Sequence, residues 1–320
     1  MATIVEPSVA ACQHAARRLL RGELVALPSE TVYGIAGRTF DPHAIERIYA
    51  AKRRPMDNPL IAHVLDAAHA RRLVSIWTET AQRLSDAFWP GPLTMILPRH
   101  PDVPAIAAGG RRTIAVRAPR HDVFRTVIAR AGEPLSAPSA NRSGHVSPTR
   151  AQHVADDFPD DDLLILDGGA SVYGIESTVI DMTCATPTIL RPGVIDHATL
   201  VEVLGTVAQH EAHDQLDSPG TSTRHYAPNT PCAVAPIDAI VRALDDAAHP
   251  VVVLTTTPLE VRSPHQRCPM PDDARAYAHS LYAALRRADA CELERILIET
   301  VPDDRAWDAV RDRLTRASSS

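Results

Sequence analysis

Lysine is almost absent from this 320-residue chain: 32 of its 33 basic residues are arginine, and the one lysine is Lys52. A Walker A loop needs a lysine following its glycines, and the residues leading into Lys52, ERIYA and Ala51, contain none, so that phosphate-binding device is excluded. No GxGxxG stretch occurs either, which removes the dinucleotide fingerprint. The five cysteines, Cys12, Cys184, Cys232, Cys268 and Cys291, form no CxxC pair and suggest neither a zinc site nor a disulfide framework. Reduced thiols in a cytosol fit this usage, and a cytoplasmic location is expected. The first residues, MATIVEPSVA, show no basic stretch leading into an apolar one, and no run approaches the roughly 20 apolar residues that cross a bilayer. Neither secretion nor membrane insertion is expected.

What is present is an ordinary globular balance, 45% hydrophobic and 22% charged, on a length that suits two domains of about 100 to 200 residues. The net charge of -6 conceals an asymmetry, because residues 17–150 carry 20 Lys plus Arg against 11 Asp plus Glu. That half either attracts anions or is a solvated surface balanced by nearby acids such as Asp160, Asp161 and Asp162. A lone lysine is either a survivor of arginine-rich composition or is held in place, since a compact ammonium is not interchangeable with a guanidinium at a phosphate.

Ser8 is placed to cap a helix reaching Arg21, with Gly22 ending it, and Asp41-Pro42 starts a second helix reaching about Ala51. Strands are predicted at 24–27, 60–64, 94–97, 113–118, 163–166, 178–181 and 188–190, with helices near 79–88, 122–131 and 197–204. This alternation predicts an α/β domain over 1–205. Residues 206–231, containing SPGTSTRHYAPNTP, are too poor in aliphatics for a core and read as a linker. A second alternation over 232–320 (strands 232–235, 251–254 and 295–300, helices 238–247, 273–287 and from 305) suits a smaller Rossmann-like α/β domain with a parallel sheet.

Several polar segments follow predicted strands, where open α/β sheets place ligands. LPSETVYGIAG at 27–37 offers Ser29, Glu30 and Thr31, although taken alone it reads sooner as a capped turn. KRRPMDNPLIAH at 52–63 sets three cations at a helix end, where cations also simply complement the dipole. PLSAPSANRSGHVSPT at 134–149 strings Ser136, Ser139, Asn141, Ser143, Ser147 and Thr149 along a loop whose hydroxyl and backbone donors can wrap a polyphosphate, or form an ordinary surface loop. ILRPG at 189–193 presents Arg191 just after a strand, with forked donors suited to phosphate.

In their order, SETVYG, KRRP with NPL, WPGPLT, AVRAP, SAPSANRSG with SPT, GIESTVID and LRPG resemble the YrdC-type threonylcarbamoyl-AMP synthases from about residue 10 to 205. SPGTSTRHYAP and LYAALRRAD resemble the longer two-domain form, so the resemblance spans nearly the whole chain. Three departures stand out. Ser29 replaces a usual threonine, Thr221-Ser222-Thr223 replaces a Met-Lys-Tyr stretch, and Arg305-Ala306-Trp307 replaces a glycine-leucine-glycine.

The resemblance implies a YrdC-like twisted open mixed sheet. It also implies a reaction in which threonine's amine takes up carbon dioxide from bicarbonate and the carbamate attacks the α-phosphate of ATP, giving threonylcarbamoyl-AMP and pyrophosphate. It assigns Lys52, Arg54, Asn58, Thr113, Ser139, Asn141, Ser147, Arg191 and Tyr226 to ATP, with Lys52 and Arg54 as the charge-stabilising pair. Thr31, His63, Arg117, Ala137 and Ser177 are assigned to L-threonine, with Arg117 on its carboxylate. On the residues alone, His63 reads sooner as a core histidine beside its strand. Magnesium is expected on the triphosphate, with no protein metal site. The downstream partner implied is a tRNA threonylcarbamoyl transferase complex.

The linker is expected to fold back as a lid, using Arg224 and Tyr226, and removal of the Lys52 side chain is expected to spare folding. Two further readings stay open: a carbamoyltransferase-type nucleotide enzyme, and an RNA-binding or ribosome-maturation protein with affinity for tRNA or double-stranded RNA.

Overall fold

The computed structural model describes residues 1–209 and 225–319. They divide into two compact units, residues 1–143 with 148–209, and residues 144–147 with 225–319. The expected boundary at 205 is therefore passed by the first unit, and a short piece of the SANRSGHVSPT segment groups with the second. Most of the expected lid, including Arg224, lies outside the described residues. No helix among the described residues is long and apolar enough to cross a membrane.

The first unit begins β1 (Thr3–Val5), α1 (Val9–Leu20), β2 (Val25–Leu27), β3 (Gly34–Arg38), α2 (Pro42–Lys52), β4 (Ile61–His63), α3 (Ala67–Ala70) and α4 (Glu79–Phe88). It continues with β5 (Leu93–Pro98), β6 (Thr113–Arg117), α5 (Asp122–Ala131), β7 (Leu135–Ser136), α6 (Ala151–Asp157) and β8 (Leu164–Leu166). β9 (Thr178–Asp181), β10 (Thr188–Arg191), α7 (His197–Leu204) and β11 (Ala208–Gln209) complete it. The strands form one mixed sheet in the order β1-β8-β2-β3-β7-β4-β6-β5-β9-β10-β11.

Local chemistry sets the helix starts as expected. Ser8 accepts the Ala11 N–H at 3.0 Å, and Asp41 accepts from His43 and Ala44 with Pro42 in the first turn. β3 was not expected, because GIAGR lacks the β-branched run that marks a strand; pairing with β2 and β7 on its two edges holds it instead.

Period-two alternation sorts the side chains between faces. Val25 and Leu27 pack with α1 and α5 on one side, whereas Ala26 and Ile35 join Ile45, Ile48 and Tyr49 of α2 in the larger core. Each fully buried Leu, Ile or Val contributes about 1.5–3 kcal/mol, so β2, covered on both faces, is fixed firmly.

The second unit comprises β12 (Cys232–Ala235), α8 (Ile237–Asp246), β13 (Val251–Thr255), β14 (Gln266–Pro269), α9 (Ala274–Asp289), β15 (Arg295–Glu299) and α10 (Asp308–Ser318). Its sheet, β12-β15-β13-β14, is wholly parallel, as the sequence pattern predicted, although β14 was not foreseen. At its carboxyl edge Glu299 is buried. Its carboxylate accepts from the hydroxyls of Thr255 (2.5 Å), Thr256 (3.0 Å) and Thr257, and from the N–H groups of Thr256 (2.8 Å) and Thr257 (2.9 Å).

Burial alone would raise the Glu299 pKa, but these donors hold it down to about 2. Because the folded value lies below the unfolded one of about 4.3, the stabilisation is complete above that pH and lost as pH falls toward 2. Glu299→Gln should cost about 1–3 kcal/mol at pH 7, and thermal unfolding of the full chain should show the gap to the parent narrowing below about pH 4.

Candidate active site

On β4, β5, β6 and β9 the alternation leaves one face carrying a small apolar patch, Ile61, Ile96, Ala115 and Val179. On the same strands, two residues along, stand His63, Thr94 and Thr113 with Arg117, so polar groups frame the patch. His63 and Arg117 are register partners in the parallel pairing of β4 with β6. Thr113 lies at the other end of β6, about 13 Å from Arg117 along the strand.

The Arg117 guanidinium is almost wholly buried and tightly held. Its Nη1 donates to Thr31 Oγ1 at 2.8 Å, its Nη2 to Glu30 Oε1 at 2.5 Å and its Nε to the Gly91 carbonyl at 3.2 Å. Two of its five N–H groups remain beyond these three. Burial pushes the Glu30 carboxyl up, but the charge and hydrogen bond of Arg117, together with the Arg120 N–H at 3.0 Å, keep it below the usual carboxylate range. His63 is driven the other way, to about 3, first by burial and then by the positive charge of Arg117. It stays neutral, with its Nδ1 3.2 Å from the Ile61 carbonyl and its ring stacked 4.8 Å from Phe124. Ala137 closes this corner by donating its N–H to the Ile61 carbonyl at 2.9 Å.

Ser177 and Arg191 meet beside this corner. Arg191 Nη2 donates to the Ser177 carbonyl at 2.9 Å and lies 3.2 Å from its hydroxyl, which is 2.7 Å from Thr94 Oγ1. The LRPG segment can approach this closely only because residue 193 is glycine: a Cβ there would stand 2.4 Å from the Thr178 nitrogen and 2.5 Å from the Ser177 carbonyl carbon.

Arg54 and Asn58 form a third group. Arg54 Nε donates to the Asn58 carbonyl at 3.1 Å, and Nη2 donates both to the Asn58 side chain and to the Pro59 carbonyl. Lys52 sits at the end of α2, 1% exposed, and its ammonium donates to the carbonyls of Ser139 (2.6 Å) and Asn141 (2.5 Å). Burial, followed by the charge of Arg54, lowers its pKa well below the ordinary lysine value.

Two of the expected ATP residues belong to the second unit. Ser147 lies in the 144–147 segment, which is held there by Arg286 Nη2 donating to the Val146 carbonyl and by Ala227 N–H donating to the Gly144 carbonyl. Tyr226, at φ 61°, is buried with its ring 5.6 Å from that of Tyr282 and the Arg313 guanidinium 5.1 Å above it. Sequence reasoning gave no role to Thr94 or to the apolar floor, and named Glu30 without assigning it one. The even-odd alternation along β4, β5, β6 and β9 was the signal that could have found the floor.

The geometry corrects the expectation that Lys52 can be removed without structural effect. Its ammonium satisfies two loop carbonyls away from water, so its loss leaves both unpaired, at about 1–3 kcal/mol each. Lys52→Met should therefore lower the thermal unfolding midpoint by several degrees as well as impair turnover, and Lys52→Arg should not restore it, because a planar fork does not replace a compact ammonium. Unfolding of both variants followed by circular dichroism checks this.

The Sua5, YciO and YrdC family model, described as "Telomere recombination", matches residues 17–193, and the model for the threonylcarbamoyl-AMP synthase C-terminal domain matches 195–319. The threonylcarbamoyl-AMP synthase of Pyrococcus abyssi is 37% identical over 318 residues, covering 95% of this chain and 93% of that one. The Bacillus subtilis enzyme of the same name is 36% identical over 331 residues, covering 98% and 93%. The crystal structure of P. abyssi Sua5 complexed with L-threonine superposes with a TM-score of 0.91 at 35% identity, over 99% of this chain and 97% of that one. The chain belongs to the threonylcarbamoyl-AMP synthase family.

Proposed function

We propose that this protein forms threonylcarbamoyl-AMP and pyrophosphate from L-threonine, bicarbonate-derived carbon dioxide and ATP, supplying the activated group for threonylcarbamoyladenosine in tRNA. The observation that carries this reading is the frame of Thr31, His63, Arg117, Ser177 and Arg191 around the apolar patch, in a chain with this family membership. Arg117 would take the threonine carboxylate with its two remaining N–H groups, beside Thr31, His63, Ala137 and Ser177. The flat nucleobase suits the floor of Ile61, Ile96, Ala115 and Val179. Arg54, Arg191, Asn58, Thr113, Ser139 and Asn141 would take the rest of the nucleotide.

In the reaction, the threonine nitrogen bonds to the carbon of carbon dioxide and loses a proton. A carbamate oxygen then attacks the α-phosphorus, and the bond to the pyrophosphate oxygen breaks. No covalent enzyme intermediate forms. Catalysis therefore rests on alignment and on fixed donors facing the phosphates, which makes this a nucleotidyltransfer.

Among the described residues no group of three His, Cys, Asp or Glu side chains is arranged to hold a metal. Magnesium would be carried by the triphosphate oxygens, whose charge it would offset. The RNA-binding reading, favoured only by the basic residues of the first unit, predicts salt-sensitive RNA affinity without ATP turnover.

Pyrophosphate release that requires both threonine and bicarbonate tests the proposal directly; its absence from the folded full-length chain overturns it. Serine should react more slowly by about 1–3 kcal/mol in kcat/KM, the worth of one methyl contact. Threonine amide should fall about 100-fold or more, because it forfeits a bidentate, charge-assisted contact. The substrate is the better partner to change, since Arg117→Ala would also strand the buried Glu30, a loss of about 3–5 kcal/mol of stability. Equal kcat/KM for threonine and its amide removes Arg117 from this role.

A further inference from the structure

Thr94 stands on β5 between Leu93 and Met95, which belong to the larger core, and shares its face with Ile96 of the apolar patch. Valine suits a buried strand position at least as well as threonine, because both are β-branched. Packing therefore does not call for a hydroxyl there. Thr94 is 0% exposed, and a buried hydroxyl is costly unless it is hydrogen-bonded. Among the described residues its oxygen meets one hydrogen-bonding atom, Ser177 Oγ at 2.7 Å, where β5 runs beside the start of β9.

The direction of that bond follows from counting protons. Ser177 Oγ has one proton and two lone pairs, and Arg191 Nη2 donates to one of the lone pairs at 3.2 Å. If Ser177 also gave its proton to Thr94, the Thr94 proton would be sealed in the protein with no acceptor. If Thr94 donates instead, the proton left over is the one on Ser177, a residue of the proposed threonine site, where a ligand can accept it. Both lone pairs of Ser177 are then occupied, by Arg191 and Thr94. Ser177 faces its ligand as a donor and nothing else.

We propose that Thr94 is a specificity-determining positioning residue, which by donating to Ser177 presents the Ser177 proton to the side-chain hydroxyl oxygen of threonine. This rests on the synthase reading of the site. Threonine brings a carboxylate, a nitrogen and a hydroxyl. The carboxylate is matched by the two remaining N–H groups of Arg117, and the nitrogen must keep its lone pair for carbon dioxide. A pure donor is thereby left with the hydroxyl oxygen.

The test compares L-threonine with L-2-aminobutyrate, which lacks the hydroxyl, by pyrophosphate release and by calorimetric binding to the full-length protein. Thr94→Val keeps the branched shape, and should lower kcat/KM for threonine about tenfold while leaving 2-aminobutyrate within about twofold of the parent, the loss of one hydrogen bond felt by one substrate only. Thr94→Ser, which restores the hydroxyl, should recover most of the preference. Ser177→Ala should lose the same preference, and adding Thr94→Val to it should cost nothing further, because the two side chains act as one unit. Equal losses for both amino acids, an undiminished preference for threonine, or additive effects in the double variant overturn the proposal. Thr94→Ala is read in the same way if the valine form does not fold. A parent that binds threonine but releases no pyrophosphate sinks the synthase reading alone, and the ratio of the two dissociation constants, which Thr94→Val should lower about tenfold, then decides the role of Thr94. A parent that binds neither amino acid overturns both.

Discussion

An ammonium leaves water only when its N–H groups find acceptors, and the burial of Lys52 organises the end of α2 and the 139–143 loop around that requirement. The acceptors are the carbonyls of Ser139 and Asn141, in a proline- and serine-rich loop with little ladder pairing of its own to fix its path. Ser143 returns the contact through the Lys52 carbonyl, and Arg142 reaches the Ala51 carbonyl. The end of α2 and the loop are thus one object. α2 in turn is placed by its Asp41-Pro42 start and by Ile45, Ile48 and Tyr49 in the core. The loop inherits the rigidity of a close-packed interior, which is what fixed donors need if they are to stabilise charge without reorganising.

The corner around Arg117 is built on a different balance. Glu30 and Arg117 are both buried and both charged, a pair whose Coulombic attraction and added hydrogen bonds offset desolvation. His63 beside them is neutral at physiological pH, because burial and the Arg117 charge both disfavour imidazolium. This corner therefore presents directed hydrogen bonds with nearly no net charge, an environment suited to a zwitterionic amino acid.

Much of this was readable from the sequence where a single residue determines geometry. Ser8 and Asp41 fixed helix starts, the bounds of α5 and α7 agreed with the periodicity, and every strand of the second unit except β14 was visible as an aliphatic run. Elements defined by partners were not visible: β3 is glycine-rich, β7 is two residues long, and β14 reads QRCP. The same division holds at the site. Hydroxyls and cations on loops stood out, whereas Lys52 was read as a phosphate ligand whose removal spares folding, because sequence does not show that two carbonyls surround it. Glu30 was noticed without a role, since its function comes from Arg117, 87 positions away. The placement of Ser147 with the second unit likewise depends on Arg286, 140 positions from Val146.

The second unit has the architecture in which ligands usually bind, at the carboxyl edge of a parallel sheet. Here that edge is occupied from within. The N–H groups of Thr256 and Thr257 point at one place, as they would toward a bound anion, and the atoms they meet are the Glu299 carboxylate. Three threonine hydroxyls complete its shell. With these donors spent on a side chain of the same sheet, little remains at this edge to recognise a phosphate. Resemblance to a nucleotide-binding fold is thus not by itself a nucleotide site, because the fold supplies the crevice and the site residues decide its use.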